Sequence, residues 1–203
     1  GGSFKIWWGD SDEDFTGGGI VTVTNAADGS IISTGGQGIH AWTAQGDVLI
    51  TNEGTISSIG TGIEADSLDG KVTIVNSGSI TATEGIRTGA AATTITNSGV
   101  IDANDGTAIS MGSGDVKLIL QAGSTITGTV SDRDTLSGTN SLVLGGDTNA
   151  SFDASKIGAD SQFRNFSSFT KDGDSIWTLT GEGTTGWTIQ DGTLTASDGA
   201  AFG

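Results

Sequence analysis

The chain has no cysteine and no proline, a single histidine, and few basic residues, with 8 Lys and Arg against 24 Asp and Glu. Without cysteine there are no disulfides and no thiolate metal sites, a condition compatible with the cytosol and equally with passage through an oxidising compartment. No run of about twenty apolar residues is present to read as a transmembrane helix, and no segment reads as an intact signal peptide. The formal charge of −16 sets the surface against polyphosphate backbones and anionic bilayers. Nucleic acid is therefore not an expected partner, nor is direct membrane insertion by this segment.

What is abundant is glycine, 35 residues of it, with much Thr, Ser, Asn and Asp. That balance alone suits disorder, but Val and Ile recur with a period, which argues for turn-dense β structure. Val-Leu-Ile-Thr-Asn-Glu-Gly-Thr-Ile at 48–56 returns as Val-Thr-Ile-Val-Asn-Ser-Gly-Ser-Ile at 72–80. It returns again as Thr-Thr-Ile-Thr-Asn-Ser-Gly-Val-Ile at 93–101, and a looser copy runs from 21 to 31. The anchoring asparagines, Asn25, Asn52, Asn76 and Asn97, stand 27, 24 and 21 residues apart, a spacing that signals a solenoid.

Within each copy apolar residues fall at every second position, as in Val48 and Ile50 or Val72 and Ile74, which is strand spacing. Asn-x-Gly then supplies a corner, on the reading that Asn tolerates left-handed backbone and Gly carries no Cβ penalty there. A third apolar point follows in Gly62-Ile63, Gly85-Ile86 and Ala108-Ile109. Three short strands per repeat imply a three-sided coil. One coil has too few inward aliphatics to stand alone, so coils must stack. About eight or nine would make a rod on the order of 40 Å long. Stacking places like over like, so the corner asparagines either form an amide ladder or serve only as good turn residues; both remain open at this stage.

Three segments are expected: an N-terminal cap or incomplete first rung at 1–19, regular repeats at 20–115, and aromatic-rich rungs at 116–203. The first contains Phe4-Lys5-Ile6-Trp7-Trp8, a sensible cover for an open apolar end. Asp10, Asp12 and Asp14 occupy the one, three and five positions of a calcium loop, but Phe15 stands where glycine is needed and Val21 where the bidentate Glu should be. In the repeats, His40, Glu64, Arg87 and Ser110 each follow an inward isoleucine and should form one outward column, with a Glu64–Arg87 surface pair contributing about 0 to 1 kcal/mol. Trp42 is expected to pack under the longest repeat rather than to stack on a ligand. Thr22, Thr24, Thr73, Thr94 and Thr96 form an outward threonine array, interrupted by Leu49 and Val75, which reads as ordinary exposed β surface rather than an ice-binding face.

From Val116 the pattern changes, with Gln121-Ala122-Gly123 in place of the Asn corner and aromatics at Phe163, Phe166 and Phe169. The Asn-Ser-Gly-x-Ile rungs, Leu-Gln-Ala-Gly-Ser-Thr-Ile-Thr-Gly-Thr-Val at 120–130 and Phe-x-x-Phe-x-Lys-x-Gly at 166–173 lead to paired closing elements. Those are Trp-Thr-Leu-Thr-Gly from Trp177 and Trp-Thr-Ile-x-x-Gly-Thr-Leu from Trp187. Over residues 20–203, and most over the last ninety, this order resembles the passenger domains of Gram-negative autotransporters. The closing Trp-Thr elements resemble the repeat associated with passenger transport and folding. The resemblance implies a right-handed, single-stranded parallel β-helix, type V secretion to the cell surface, a C-terminal β-barrel translocator in the parent chain, and adhesion, self-association or a stalk as the role.

Chemistry has weaker support. Gly9-Asp10-Ser11 and Gly173-Asp174-Ser175 superficially resemble a serine protease nucleophile, but the glycines expected after each serine are absent and only His40 is available as base. Polysaccharide lyases and hydrolases need converging carboxylates, whereas Asp47, Asp66, Asp69, Asp102, Asp105 and Asp115 fall at corners and loops. The expectation is a non-catalytic surface protein with no assigned catalytic, cofactor-binding or metal residue. Its partner would be a protein or glycan on a host or neighbouring cell, or itself. A carbohydrate-active β-helix and a passive stalk or fibre subunit are the alternatives.

Overall fold

The computed structural model describes residues 19–89, 91–132 and 138–197, except the side chain of Asp105. The first coil comprises β1 (Val21–Asn25), β2 (Ser30–Ser33) and β3 (Ile39–Thr43). The second comprises β4 (Val48–Asn52), β5 (Thr55–Ser58) and β6 (Thr61–Ser67), and the third β7 (Lys71–Asn76), β8 (Ser79–Ala82) and β9 (Glu84–Thr88). In the fourth, β10 (Ala92–Asn97) leads into β11 (Val100–Met111), which joins two faces: its start pairs with β8 and its end with β9. Then come β12 (Val116–Leu120) and β13 (Thr125–Asp132), followed by β14 (Asn140–Leu144), β15 (Ala150–Asp153), β16 (Ser168–Lys171), β17 (Ile176–Thr180), β18 (Thr188–Ile189) and β19 (Thr193–Ala196).

One face is an eight-stranded sheet ordered β1-β4-β7-β10-β12-β14-β16-β18. The other two faces are β2-β5-β8 and β3-β6-β9, joined through β11 with β13 alongside it, and a three-stranded sheet β15-β17-β19 closes the far end. All pairings are parallel, so the molecule is the expected parallel β-helix, a solenoid of about six turns. The phenylalanine-bearing segment between β15 and β16 interrupts the regular succession of faces.

The core is three columns of like side chains. Val23, Ile50, Ile74, Ile95, Leu118, Leu142 and Phe169 stand in register on the first face. Ile31, Ile56, Ile80, Ile101 and Ile126 form the second column, and Ile39, Ile63, Ile86, Ile109 and Val130 the third. The isoleucines from Ile50 to Ile109 in these columns are essentially inaccessible, each worth about 1.5–3 kcal/mol of burial.

The corner asparagines do form a ladder. Asn25 donates through Nδ2 to Asn52 Oδ1, Asn52 to Asn76 and Asn76 to Asn97, each at 2.7 Å, and Asn97 passes the chain to Ser124 Oγ at 2.7 Å. The reason first offered for the corner needs correction, because among the described residues neither these asparagines nor Gly54, Gly78 and Gly99 has positive φ. Glycine is required there by close stacking: a Cβ on Gly78 would collide with the carbonyl oxygen of Gly54, and one on Gly99 with that of Gly78. Asparagine is required by its buried amide, since an unpaired polar group in this position would cost about 1–3 kcal/mol.

A second set of corners uses side-chain carbonyl and carboxylate oxygens one coil back to hold the incoming backbone. Asp47 Oδ1 accepts from Lys71 N at 2.9 Å, Asp115 Oδ1 from Thr139 N at 2.6 Å and Asn149 Oδ1 from Ile176 N at 2.8 Å. Asp47 and Asp115 are therefore structural acceptors as well as solvated turn residues.

Candidate functional site

The outward positions of the first face form two columns. Thr22, Leu49, Thr73, Thr94, Lys117, Ser141 and Ser168 align in one; Thr24, Thr51, Val75, Thr96, Ile119, Val143, Thr170 and Thr188 in the other. The threonine array is thus in register but mixed, giving way to Lys, Ser and aliphatic residues toward the far end. Between β7 and β14 this face carries an open groove of about 520 Å³. Its lining includes Lys71, Thr73, Ala92, Thr94, Asp115 and Lys117. The small Ala92 side chain stands in register with Lys71 on this face.

The second candidate lies on the β3-β6-β9 face. His40 stands opposite Glu64 and Glu64 opposite Arg87, with Ser110 next. The column forms as expected, although Ser110 is buried at 4% exposure and the other three are half-buried. Arg87 Nη1 lies 3.7 Å from Glu64 Oε1, but its Nε donates to Glu84 Oε2 at 2.9 Å, so Glu84 is the closer partner. Strict alternation would put Glu84 and Arg87 on opposite faces. They share one because Gly85 and Ile86 both turn inward, and Gly85 has no room for a Cβ beside Ala108 O and Ile101 Cγ2. Thr61 Oγ1 donates to Glu84 at 3.1 Å and Gln37 Nε2 to Glu64 at 2.8 Å. The result is a tied polar patch whose charges are satisfied within the protein.

Among the described residues, the others singled out from sequence do not assemble. Asp10, Asp12, Asp14 and Ser11 lie outside the described residues. Ser175 is buried at 1% exposure in the coil of β16 and β17, while His40 is in the first coil, on the order of 30 Å away at the strand spacing of a sheet. Trp42 is half-buried and in register with Asp66. Among the described residues no three His, Asp or Glu side chains converge as a metal site.

Among the described residues, two titratable groups are perturbed. Lys171 continues the corner column after Asn97, Leu120 and Leu144 and is wholly inaccessible. Its ammonium donates to the carbonyls of Asp172 at 2.8 Å, Gly173 at 2.6 Å and Asp191 at 3.3 Å. Burial pushes its pKa below 10.5, opposed by the charges of Asp172, Asp191 and Asp174. Asp132 is raised above 3.8 by burial, partly offset by the amide of Asn140. Both are explained by packing: Lys171 closes a corner, and Asp132 accepts from the buried Asn140 at 2.5 Å.

Set against protein-family models, characterised proteins and solved structures, the chain matches none. The fold and its outer faces are therefore the basis for a functional reading, together with the motifs of the sequence.

Proposed function

We propose that this chain is a segment of an autotransporter passenger, displayed at or released from the surface of a Gram-negative cell. It acts there by adhesion or self-association rather than by catalysis. Its partners are a protein or glycan of a host or neighbouring cell, or another copy of itself, and a C-terminal β-barrel translocator belongs to the parent chain. The order of the sequence motifs supports the secretion route.

The observation that carries the mode of action is the outer side of the first face, where hydroxyl-bearing side chains recur in register from Thr22 and Thr24 to Thr188. A partner with repeated groups meets similar chemistry at successive coils, and weak contacts along a rod add through effective concentration. The carboxylates support the non-catalytic part of the reading, since Asp47 and Asp115 are committed to backbone N–H groups and Glu64 and Glu84 to Arg87.

Display of residues 1–203 on a non-adherent bacterium tests this. The expected outcome is increased attachment to host cells or faster sedimentation from self-aggregation. Glycan turnover that Asp-to-Asn substitutions abolish would instead establish the enzyme reading. A monomer with neither attachment, aggregation nor turnover would establish a passive stalk.

A further inference from the structure

We infer that Asn165 is an attachment site for an N-linked sugar, a modification that the adhesive reading neither requires nor supplies. The acceptor pattern for such a sugar is Asn-x-Ser or Asn-x-Thr on an accessible surface segment. Of the asparagines in the chain, only Asn149, in Asn149-Ala150-Ser151, and Asn165, in Asn165-Phe166-Ser167, have a hydroxyl residue at the second position after them. Glycine or alanine takes that place after Asn25, Asn52, Asn76 and Asn97, whose side chains are buried in the ladder.

The structure separates the two candidates. Asn165 lies in the connection between β15 and β16, outside every strand, with φ of 60°, a left-handed turn conformation that asparagine tolerates. Two hydrogen bonds to Asn140 pin the segment to the coil before it: Asn140 Nδ2 donates to Asn165 O at 3.2 Å, and Ser167 N to Asn140 O at 2.9 Å. Phe166 packs against the core with its ring 6.4 Å from that of Phe163, and Asn165 and Ser167 on either side of it are exposed. The carboxamide of Asn165 makes no hydrogen bond to a described residue. The Ser167 hydroxyl donates to Asn140 O at 3.2 Å and keeps its acceptor lone pairs.

In the other triplet Asn149 Oδ1 accepts from Ile176 N at 2.8 Å, and Ser151 is held in β15 opposite Thr178. A transferase has to reorient the carboxamide and seat the hydroxyl two residues on. At 149–151 that would break a corner bond and a strand pairing, whereas the exposed side chain of Asn165 is free to turn. The reaction is a glycosyl transfer from a diphosphate-activated sugar, catalysed by a separate enzyme. The carboxamide nitrogen of Asn165 forms a bond to the anomeric carbon, and the bond from that carbon to the phosphate oxygen breaks. The diphosphate leaves with the electron pair, and one proton of the nitrogen passes to a base of the transferase. The fold is undisturbed, because the bond that Asn165 gives to packing is made by its main-chain oxygen.

Peptide mapping by mass spectrometry, on the chain isolated from the cells that naturally make it, tests the site. A sugar mass increment is expected on the peptide that holds Asn165. It should be lost in Asn165→Gln and in Ser167→Ala, which leaves the asparagine in place, and kept in Ser167→Thr, which restores the hydroxyl. Circular dichroism of all three variants should match the parent, so that a lost increment reports the acceptor pattern and not the fold. An unmodified Asn165 overturns the inference, as does a sugar at Asn165 that survives Ser167→Ala. Sugar on Asn149 to the same extent overturns the selection by a free carboxamide, and sugar confined to serine or threonine overturns the N-linkage.

Discussion

The two halves of the eight-stranded first face solve the same corner in different ways. From Asn25 to Asn97 the inward corner position is an amide that is both donor and acceptor, and the ladder repeats without change. Beyond it the same column reads Leu120, Leu144 and Lys171, and then Ile189, which is exposed. The apolar residues bring no polar group to satisfy, and Lys171 gathers three turn carbonyls around one ammonium. The far half also replaces isoleucine with rings: Phe152 packs edge-on to Phe163 at 5.4 Å, and Phe169 meets Trp187 at 5.5 Å. Trp177 buries its ring and donates to Gly145 O at 3.1 Å. A repeated amide demands identical neighbours above and below, whereas an apolar or cationic corner tolerates a change of rung shape. That difference accompanies the place where the repeat loses its regularity.

The sharpest way to break the first half is steric. Gly78→Val should cost about 4 kcal/mol or more and abolish cooperative folding, because the added side chain overlaps the Gly54 carbonyl and a rigid backbone cannot yield; circular dichroism during heating reads it. Next is Asn76→Ala, which leaves the Asn52 amide without its acceptor and Asn97 without its donor. A loss of about 2–4 kcal/mol is expected by denaturant titration. The same titration on Leu144→Asn, which places an amide in the apolar stretch, should also destabilise, since no neighbouring amide continues the chain there.

Lys171→Met should cost about 1–3 kcal/mol at neutral pH, because the carbonyls of Asp172, Gly173 and Asp191 lose their donor. The lowered pKa of Lys171 means that between its folded value and 10.5 the unfolded chain binds more protons than the native one. Stability contributed by this group therefore rises with pH across that window. The gap between parent and Lys171→Met should widen as pH climbs toward 10.5, and a gap that narrows would refute the buried-ammonium account. The smallest effect belongs to the tied patch: Arg87→Ala should change stability by about 1 kcal/mol or less, because these half-buried pairs remain open to solvent screening.

Much of the fold was legible because its signals are local. Alternating Val and Ile specify strands, and the recurrence of Asn-x-Gly specifies a coil that must stack. The physical role of the corner glycine was not legible, since the atom it avoids belongs to the previous coil. Glu84 was hidden by the assumption of unbroken alternation, which Gly85 suspends. The ammonium of Lys171 could not be distinguished from a surface lysine by any property of its neighbours in sequence.

For the candidate site, the sequence alone determined a chain rich in hydroxyls, poor in positive charge and periodic enough to form a rod with repeated outer faces. Only the tertiary structure brought Lys71 and Lys117 to one groove with Ala92, because their separation depends on the register of β7, β10 and β12. Strand pairing sets that register through inward isoleucines and buried amides, and the spacing of the outer charges follows from packing on the inside.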